Sequence, residues 1–327
     1  MSAPPSGRVA PAAPRAGRAA RAPKPRERRP RAPRPWILTL FAAPGLLVVL
    51  AFHYYPLLGN VIAFKDYLPF IGVWDSEWVG AENFRVILDG DARFWNAVRN
   101  TLVITGVQTV LVFPLPIMLA LLLNSLVSER IRRIVQSITY LPHFLSWVVI
   151  VAIFQTVLGG SGSISQWLRE HGHEGLDIIG NADVFVMLLT AQVTWKDTGW
   201  ATILFLAALS QISTQLYESS AVDGAGRWRQ LWHVTLPGLR GIIVLLFILQ
   251  LGNSLTVGFE QLILQEAAVG IRASEVLDTY VYNTGVISGH WGEAAAVGLV
   301  KGVIGVALVL TANRIAHRFG EAGVYQR

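Results

Sequence analysis

The sequence predicts an all-α integral membrane protein with six membrane-crossing helices. Three observations lead there. Of the 327 residues, 53% are hydrophobic and only 15% charged, a balance unsuited to a surface facing water. The mean hydropathy is positive, at +0.46. Mainly apolar stretches long enough to cross a bilayer, which takes about 20 residues, recur six times along the chain.

In chain order, residues 1–34 come first and are Pro, Ala and Arg with almost nothing to bury. Such a segment cannot offset the entropy of ordering, so a disordered tail is expected there. It carries ten Lys/Arg and one acid, net +9 out of a total of +6, which leaves net −3 for the other 293 residues. The basicity therefore belongs to the tail. No aromatic interleaves its arginines, which argues against a nucleic-acid arm, and its place beside an apolar segment suits a cytoplasmic anchor near anionic lipid. Residues 35–327 form the membrane domain, with spans expected at about 36–58, 100–125, 135–158, 184–210, 238–262 and 294–313. The uncharged run Trp36 to Phe64 exceeds a typical signal-peptide core and no small-residue cleavage site follows, so a retained first helix is expected. Pro44, Pro114, Pro116 and Gly252 inside the spans are tolerated in a membrane, where neighbours satisfy freed backbone groups. Cysteine is absent, which removes disulfides, thiolate metal sites and cysteine nucleophiles.

Loop charges set the orientation. With the N-terminus inside, the inner side holds 19 Lys/Arg and the outer loops six. That asymmetry predicts both termini in the cytoplasm of a multi-pass cell-membrane protein. The longest inner loop between spans is then residues 211–237. Within it, Ser213 or Thr214 is the expected cap of a short helix that ends at Gly224. A second short helix follows, placing Trp228 and Trp232 four apart, and Pro237 opens the fifth span. Glu218, Asp223 and His233 match no nucleophile elbow, metal box or phosphate loop. The loop rests either on lipid headgroups or on a protein partner. Asp223 lies at a helix C-terminus, the unfavourable end of the dipole, which favours the protein partner.

Inside the spans, Lys196 and Asp197 fall about twelve residues into the fourth, roughly 18 Å deep. Asn253 reaches a similar depth in the fifth and Lys301 lies in the sixth. Ionisable groups there face a cavity or a partner, so these residues with Gln192 and Gln250 are candidates for one polar layer. Trp195, Trp200 and Phe259 are candidates for stacking on sugar faces, or for plain packing. Lys196 and Asp197 alternatively satisfy each other. Glu260 falls at the outer end of its span, and His171 with His173 and Glu174 is too sparse a set for a metal site.

The pattern Glu218, Ser219, Ser220, Gly224, then Val234, Leu236 and Pro237, with Asp223 to Ala225 reading "DGA", resembles the cytoplasmic "EAA" loop of permease subunits of binding-protein-dependent ABC importers. Serines replace its two alanines. "YLPHFLSWVV", "WVGAENF", "FWNAVRNTL" and "LDTYVYNTG" are similar to the sugar permeases associated with polysaccharide-derived oligosaccharides. The resemblance implies the type I ABC importer permease fold and a coupling helix seated in a cytoplasmic ATPase. Glu218 would face that ATPase, Asp223 would hold the loop and Gly224 would make the turn. It also implies a second homologous permease in a heterodimer and an extracytoplasmic solute-binding protein. No phosphate-loop motif occurs, so ATP and Mg would be used by the partner, with no cofactor and no catalytic or metal residue in this chain. A rival reading is an ion-coupled secondary transporter using Lys196, Asp197 and Lys301, although no internal repeat supports it. A membrane enzyme is a further rival.

Overall fold

A computed structural model describes residues 35–318, 320 and 323. The expectation for the basic tail, residues 1–34, lies outside the described residues. The chain divides into two units, Met1–Tyr55 and Pro56–Arg327. In the first, α1 (Pro35–Val49) runs into a π turn at Leu50–Tyr54. Pro44 sits inside this helix, and Phe41 and Phe52 are exposed along it.

The second unit begins with a 3-10 stretch, Gly59–Phe64, and a small antiparallel ladder that the sequence did not announce. Strand β1 (Lys65–Asp66) pairs with β2 (Glu77–Trp78), Lys65 opposite Trp78. The buried Lys65 ammonium locks the intervening turn by donating to the carbonyls of Val73, Trp74 and Ser76 at 2.7, 3.1 and 3.1 Å. Then come α2 (Ala92–Leu111), α3 (Pro114–Ser125), α4 (Glu129–Tyr140), α5 (Trp147–Leu158) and α6 (Ser163–Glu170). They are followed by α7 (Phe185–Leu209), α8 (Thr214–Val222), α9 (Leu236–Gly252) and α10 (Trp291–Arg318).

Five helical runs among the described residues are long and apolar enough to cross a membrane: Thr39–Phe64, Ala92–Ser125, Trp147–Glu170, Arg227–Gly252 and Trp291–Arg318. At most 28% of each run's most apolar stretch is buried, so the apolar side chains largely face outward, as they do when lipid is the solvent. The stretch expected as the fourth span forms a single helix, α7, that is not among these five. At 25 residues it is about 37 Å long, enough to cross, but Gln192, Lys196 and Asp197 make it more polar than the other five.

Three expected spans have different limits, each for a backbone reason. The second starts earlier, at Ala92, because the Asp91 carboxylate caps it by accepting from the Arg93 amide at 2.8 Å. It breaks at Val112–Phe113, ahead of Pro114. The third, 135–158, is two helices: Pro142 sits in a 3-10 turn at Leu141–Phe144, and Ser146 begins α5 afresh by accepting from the Val149 amide at 3.4 Å. The fifth stops at Gly252, and the chain passes Asn253 and a left-handed Gly258 before turning helical again at Phe259.

Helix α7 is central to the second unit. Its N-terminal end, Phe185, Leu188 and Leu189, packs with Ile104 of α2 and with Leu262 and Val276. Its C-terminal end, Phe205 and Leu209, packs with Ala120 of α3 and Leu239 of α9. The segment between α9 and α10 is fastened to α2. Glu275, 1% exposed, receives Arg93 Nε at 3.0 and 2.9 Å and Arg93 Nη2 at 2.6 Å. Asn100 donates to the Glu275 carbonyl at 2.9 Å, and the Leu277 amide donates to Thr101 Oγ1 at 2.9 Å. A buried carboxylate is stable there because its oxygens are fully engaged.

Candidate functional site

The loop at residues 211–237 is a preformed protrusion. Helix α8 begins after Ser213, whose backbone is extended as a cap requires but whose hydroxyl makes no capping bond. It ends at Asp223, and Gly224 takes φ +75°, a left-handed conformation that costs a side-chain-bearing residue about 1–2 kcal/mol. The turn closes through Gly224 N to Ala221 O at 3.0 Å and Ala225 N to Ser220 O at 2.9 Å. Beyond Gly226 the chain is helical at Arg227–Gln230, passes through a π turn at Leu231–Thr235 and continues as α9. The expected separate second helix is thus the start of the fifth span. Pro237, which has no amide to donate, follows the π turn rather than opening the span.

Polar bonds tie α8 to this extension. Gln230 Nε2 donates to Ser220 Oγ and to the Tyr217 carbonyl, both at 3.2 Å. Tyr217 and Thr235 share a hydroxyl contact at 3.1 Å. Asp223, expected to hold the loop, makes no side-chain hydrogen bond or ion pair among the described residues, so Ser220 and Gln230 take that part. Glu218, Ser219 and Asp223 are exposed, Ala225 is half-buried, and Val222 and Trp228 stand 88% and 75% exposed. Nothing within 4 Å would meet a Cβ on Gly224, so its requirement is conformational only.

The polar layer is only partly assembled. Lys196, 8% exposed, donates to the carbonyls of His143 and Leu145 at 2.9 and 2.6 Å, over the Trp147 ring. Asp197 meets His143 Nδ1 at 2.9 Å, and the His143 ring stacks on Trp200 at 4.6 Å. Gly199 has no room for a Cβ, which would run into the Thr139 carbonyl. Lys196, Asp197, Gly199 and Trp200 therefore grip the break between α4 and α5, and Lys196 and Asp197 do not pair with each other. Gln192 is fully buried and leaves the layer: its Oε1 accepts from Gln261 at 2.7 Å and Gln265 at 3.1 Å. Trp195 lies against Phe154 and Phe259 against Tyr282.

What remains of the layer lines two cavities. One, of about 330 Å³, is bordered by Gln108, Asp197, Thr198, Gln250 and Asn253. The other, of about 560 Å³, is bordered by Asn253, Asp278 and Lys301, and Lys301 is paired with Asp278. Asn253 borders both. Gln108 Nε2, Thr198 Oγ1 and Asp278 Oδ2 are buried without a protein hydrogen-bond partner. Both volumes fall in the range of about 300–1,000 Å³ usual for small-molecule pockets. An ion relay through Lys196, Asp197 and Lys301 lacks its geometry, because each is held by a separate local partner.

Residues 112–321 match the family described as binding-protein-dependent transport system inner membrane component. The chain belongs to that family. The permease is 42% identical over 289 residues to the polygalacturonan/rhamnogalacturonan transport system permease protein YteP of Bacillus subtilis, covering 88% of this chain and 90% of the relative. It is 25% identical to the arabinooligosaccharides transport system permease protein AraP of the same organism, over 87% and 90%. Among solved structures it resembles a chain of a bacterial alginate ABC transporter in complex with alginate pentasaccharide-bound periplasmic protein. The TM-score there is 0.79 at 33% identity, over 88% of this chain and 96% of that one. The permease is thus a multi-pass membrane protein of the type I ABC importer fold.

Sequence reasoning missed His143, Gln230, Gln108 and Asp278 in the permease. Gln108 and Asp278 are single polar residues whose neighbours in the cavity walls lie in other parts of the chain, and their spacing announces nothing. His143 did carry a signal, being an imidazole beside Pro142 within an otherwise apolar stretch.

Proposed function

We propose that this chain forms one half of the translocation path of an ABC importer for a sugar or oligosaccharide, delivered by an extracytoplasmic binding protein and driven by a separate cytoplasmic ATPase. A second, related permease completes the path, and both termini lie in the cytoplasm, with α7 as the sixth span. The observation that carries this reading is the protrusion at Thr214–Thr235. It exposes a carboxylate and large apolar side chains on a turn braced by Ser220 and Gln230, and it runs without a break into the fifth span. A rigid body of this kind, seated in an ATPase, transmits nucleotide-driven movement directly to α9. ATP and Mg belong to that partner.

The cargo path follows Gln108, Thr198, Gln250 and Asn253, whose amide and hydroxyl groups suit a polyhydroxylated solute. The carbohydrate class is supported by the relatives, which are named for polygalacturonan/rhamnogalacturonan transport and for arabinooligosaccharides transport. Uptake of labelled oligosaccharides into cells carrying the permease with its cognate partners tests it. Accumulation that requires an intact ATPase is expected, and accumulation that follows the ion gradient instead would overturn it.

A further inference from the structure

The wall of the smaller cavity includes a carboxylate as well as amides and hydroxyls. Asp197, midway along α7, borders this cavity with its side chain 39% exposed. As a carboxylate it only accepts hydrogen bonds, so the proton in its 2.9 Å contact with His143 Nδ1 comes from the imidazole. The imidazole is itself held. Its ring lies flat on Trp200, at 4.6 Å and 4°, and Phe144 stands edge-on to both rings. Lys196 fixes the backbone around it by donating to the carbonyls of His143 and Leu145. Asp197 is thus oriented through Oδ1, while Oδ2 makes no hydrogen bond among the described residues. In the same wall Gln108 Nε2 and Thr198 Oγ1 are buried without a protein partner, and Gln250 and Asn253 add amides. Among the described residues that border this cavity there is no Lys or Arg. Lys196 is committed to two carbonyls, and Lys301, in the wall of the other cavity, to Asp278.

An oriented carboxylate oxygen beside amide and hydroxyl donors complements the hydroxyls of a sugar. Hydroxyls donate to the carboxylate in charge-assisted bonds and accept from the amides. A uronate unit in the same place sets a second carboxylate against Asp197, and this wall holds no cation to offset the repulsion. We propose that Asp197, positioned by His143, is the hydroxyl acceptor through which this cavity selects a neutral sugar unit of the cargo and turns away a uronate. The proposal rests on the reading of this chain as half of a sugar importer's path, and it adds the class of sugar unit and the residue that selects it. A cargo that alternates neutral and acidic units is held here by a neutral one.

Liposomes holding the full chain with its second permease, ATPase and binding protein are given labelled galactotriose, arabinotriose and trigalacturonate in turn. The wild type is expected to accumulate a neutral trisaccharide in preference to trigalacturonate. Asp197→Asn keeps the shape and removes the charge, so the neutral-to-uronate uptake ratio is expected to fall about tenfold. The binding protein is the same in both preparations, and its own preference cancels between wild type and variant. His143→Ala, which frees Asp197 from its guide, is expected to raise the KM for the neutral probe several-fold while ATP hydrolysis persists. His143→Asn, whose amide donates from close to the position of Nδ1, is expected to restore it. A purely structural role for Asp197 would instead lower uptake of all three probes together. Three results would overturn the assignment: a wild type that prefers trigalacturonate, a ratio unchanged by Asp197→Asn, or trigalacturonate that neither wild type nor variant takes up. Failure of the wild type to accumulate any of the three with ATP and binding protein present would remove the sugar-importer reading, and this inference with it.

Discussion

At the residue scale, two glycines matter for opposite reasons. Gly224 needs freedom of φ and has open space around it, whereas Gly199 has ordinary backbone and no space. Gly224→Pro forces φ to about −65° and breaks the turn, so membrane insertion stays normal while uptake is lost. Gly199→Ala drives a methyl against the Thr139 carbonyl, costing on the order of 1–3 kcal/mol, and appears as a lowered melting temperature before any transport assay. The buried charges separate in the same way. Lys196→Met strands two carbonyls and destabilises by about 1–3 kcal/mol for each. Asn253→Ala, at a half-open position between two cavities, leaves the melting temperature unchanged and alters the cargo dependence of uptake. Equal melting losses in both variants would contradict this division.

At the element scale, the proposed coupling rests on the braced loop. Ser220→Ala and Gln230→Leu each remove bonds worth about 1 kcal/mol between α8 and the extension of α9. Each is expected to lower uptake per ATP hydrolysed without changing the amount of permease in the membrane, and the double variant is expected to match the worse single one because the bonds are shared. The loop's place and turn were legible from Gly224 and the composition around it, since glycine at a helix end and the switch from apolar to charged are local signals. Its bracing was not legible, because a Gln230 side chain has no fixed destination until the two helices meet. The same holds inside the membrane. Lys196 and Asp197 were read as path residues from depth alone, but Pro142 breaks the third span and leaves carbonyls that Lys196 must satisfy. The break at Gly252 was hidden because apolar residues recur past it at Leu255, Val257 and Phe259.

At the scale of the whole molecule, the exposed apolar surface of the crossing helices suits a lipid surround, and the exposed protrusion suits the ATPase partner proposed for it. Five crossing helices among the described residues are apolar enough to have been visible in hydropathy. The polarity of α7 was visible too, and it marks the helix that carries a packing cluster at each of its ends. The most direct measurement is oligosaccharide uptake and ATP hydrolysis in liposomes that hold this chain with its ATPase, second permease and binding protein, before and after Glu218→Lys. Uptake is predicted to require ATP and the binding protein and to fall to background in the variant while ATP hydrolysis by the separate ATPase persists. Uptake without ATP, or unchanged by Glu218→Lys, would contradict the coupling role assigned to the loop.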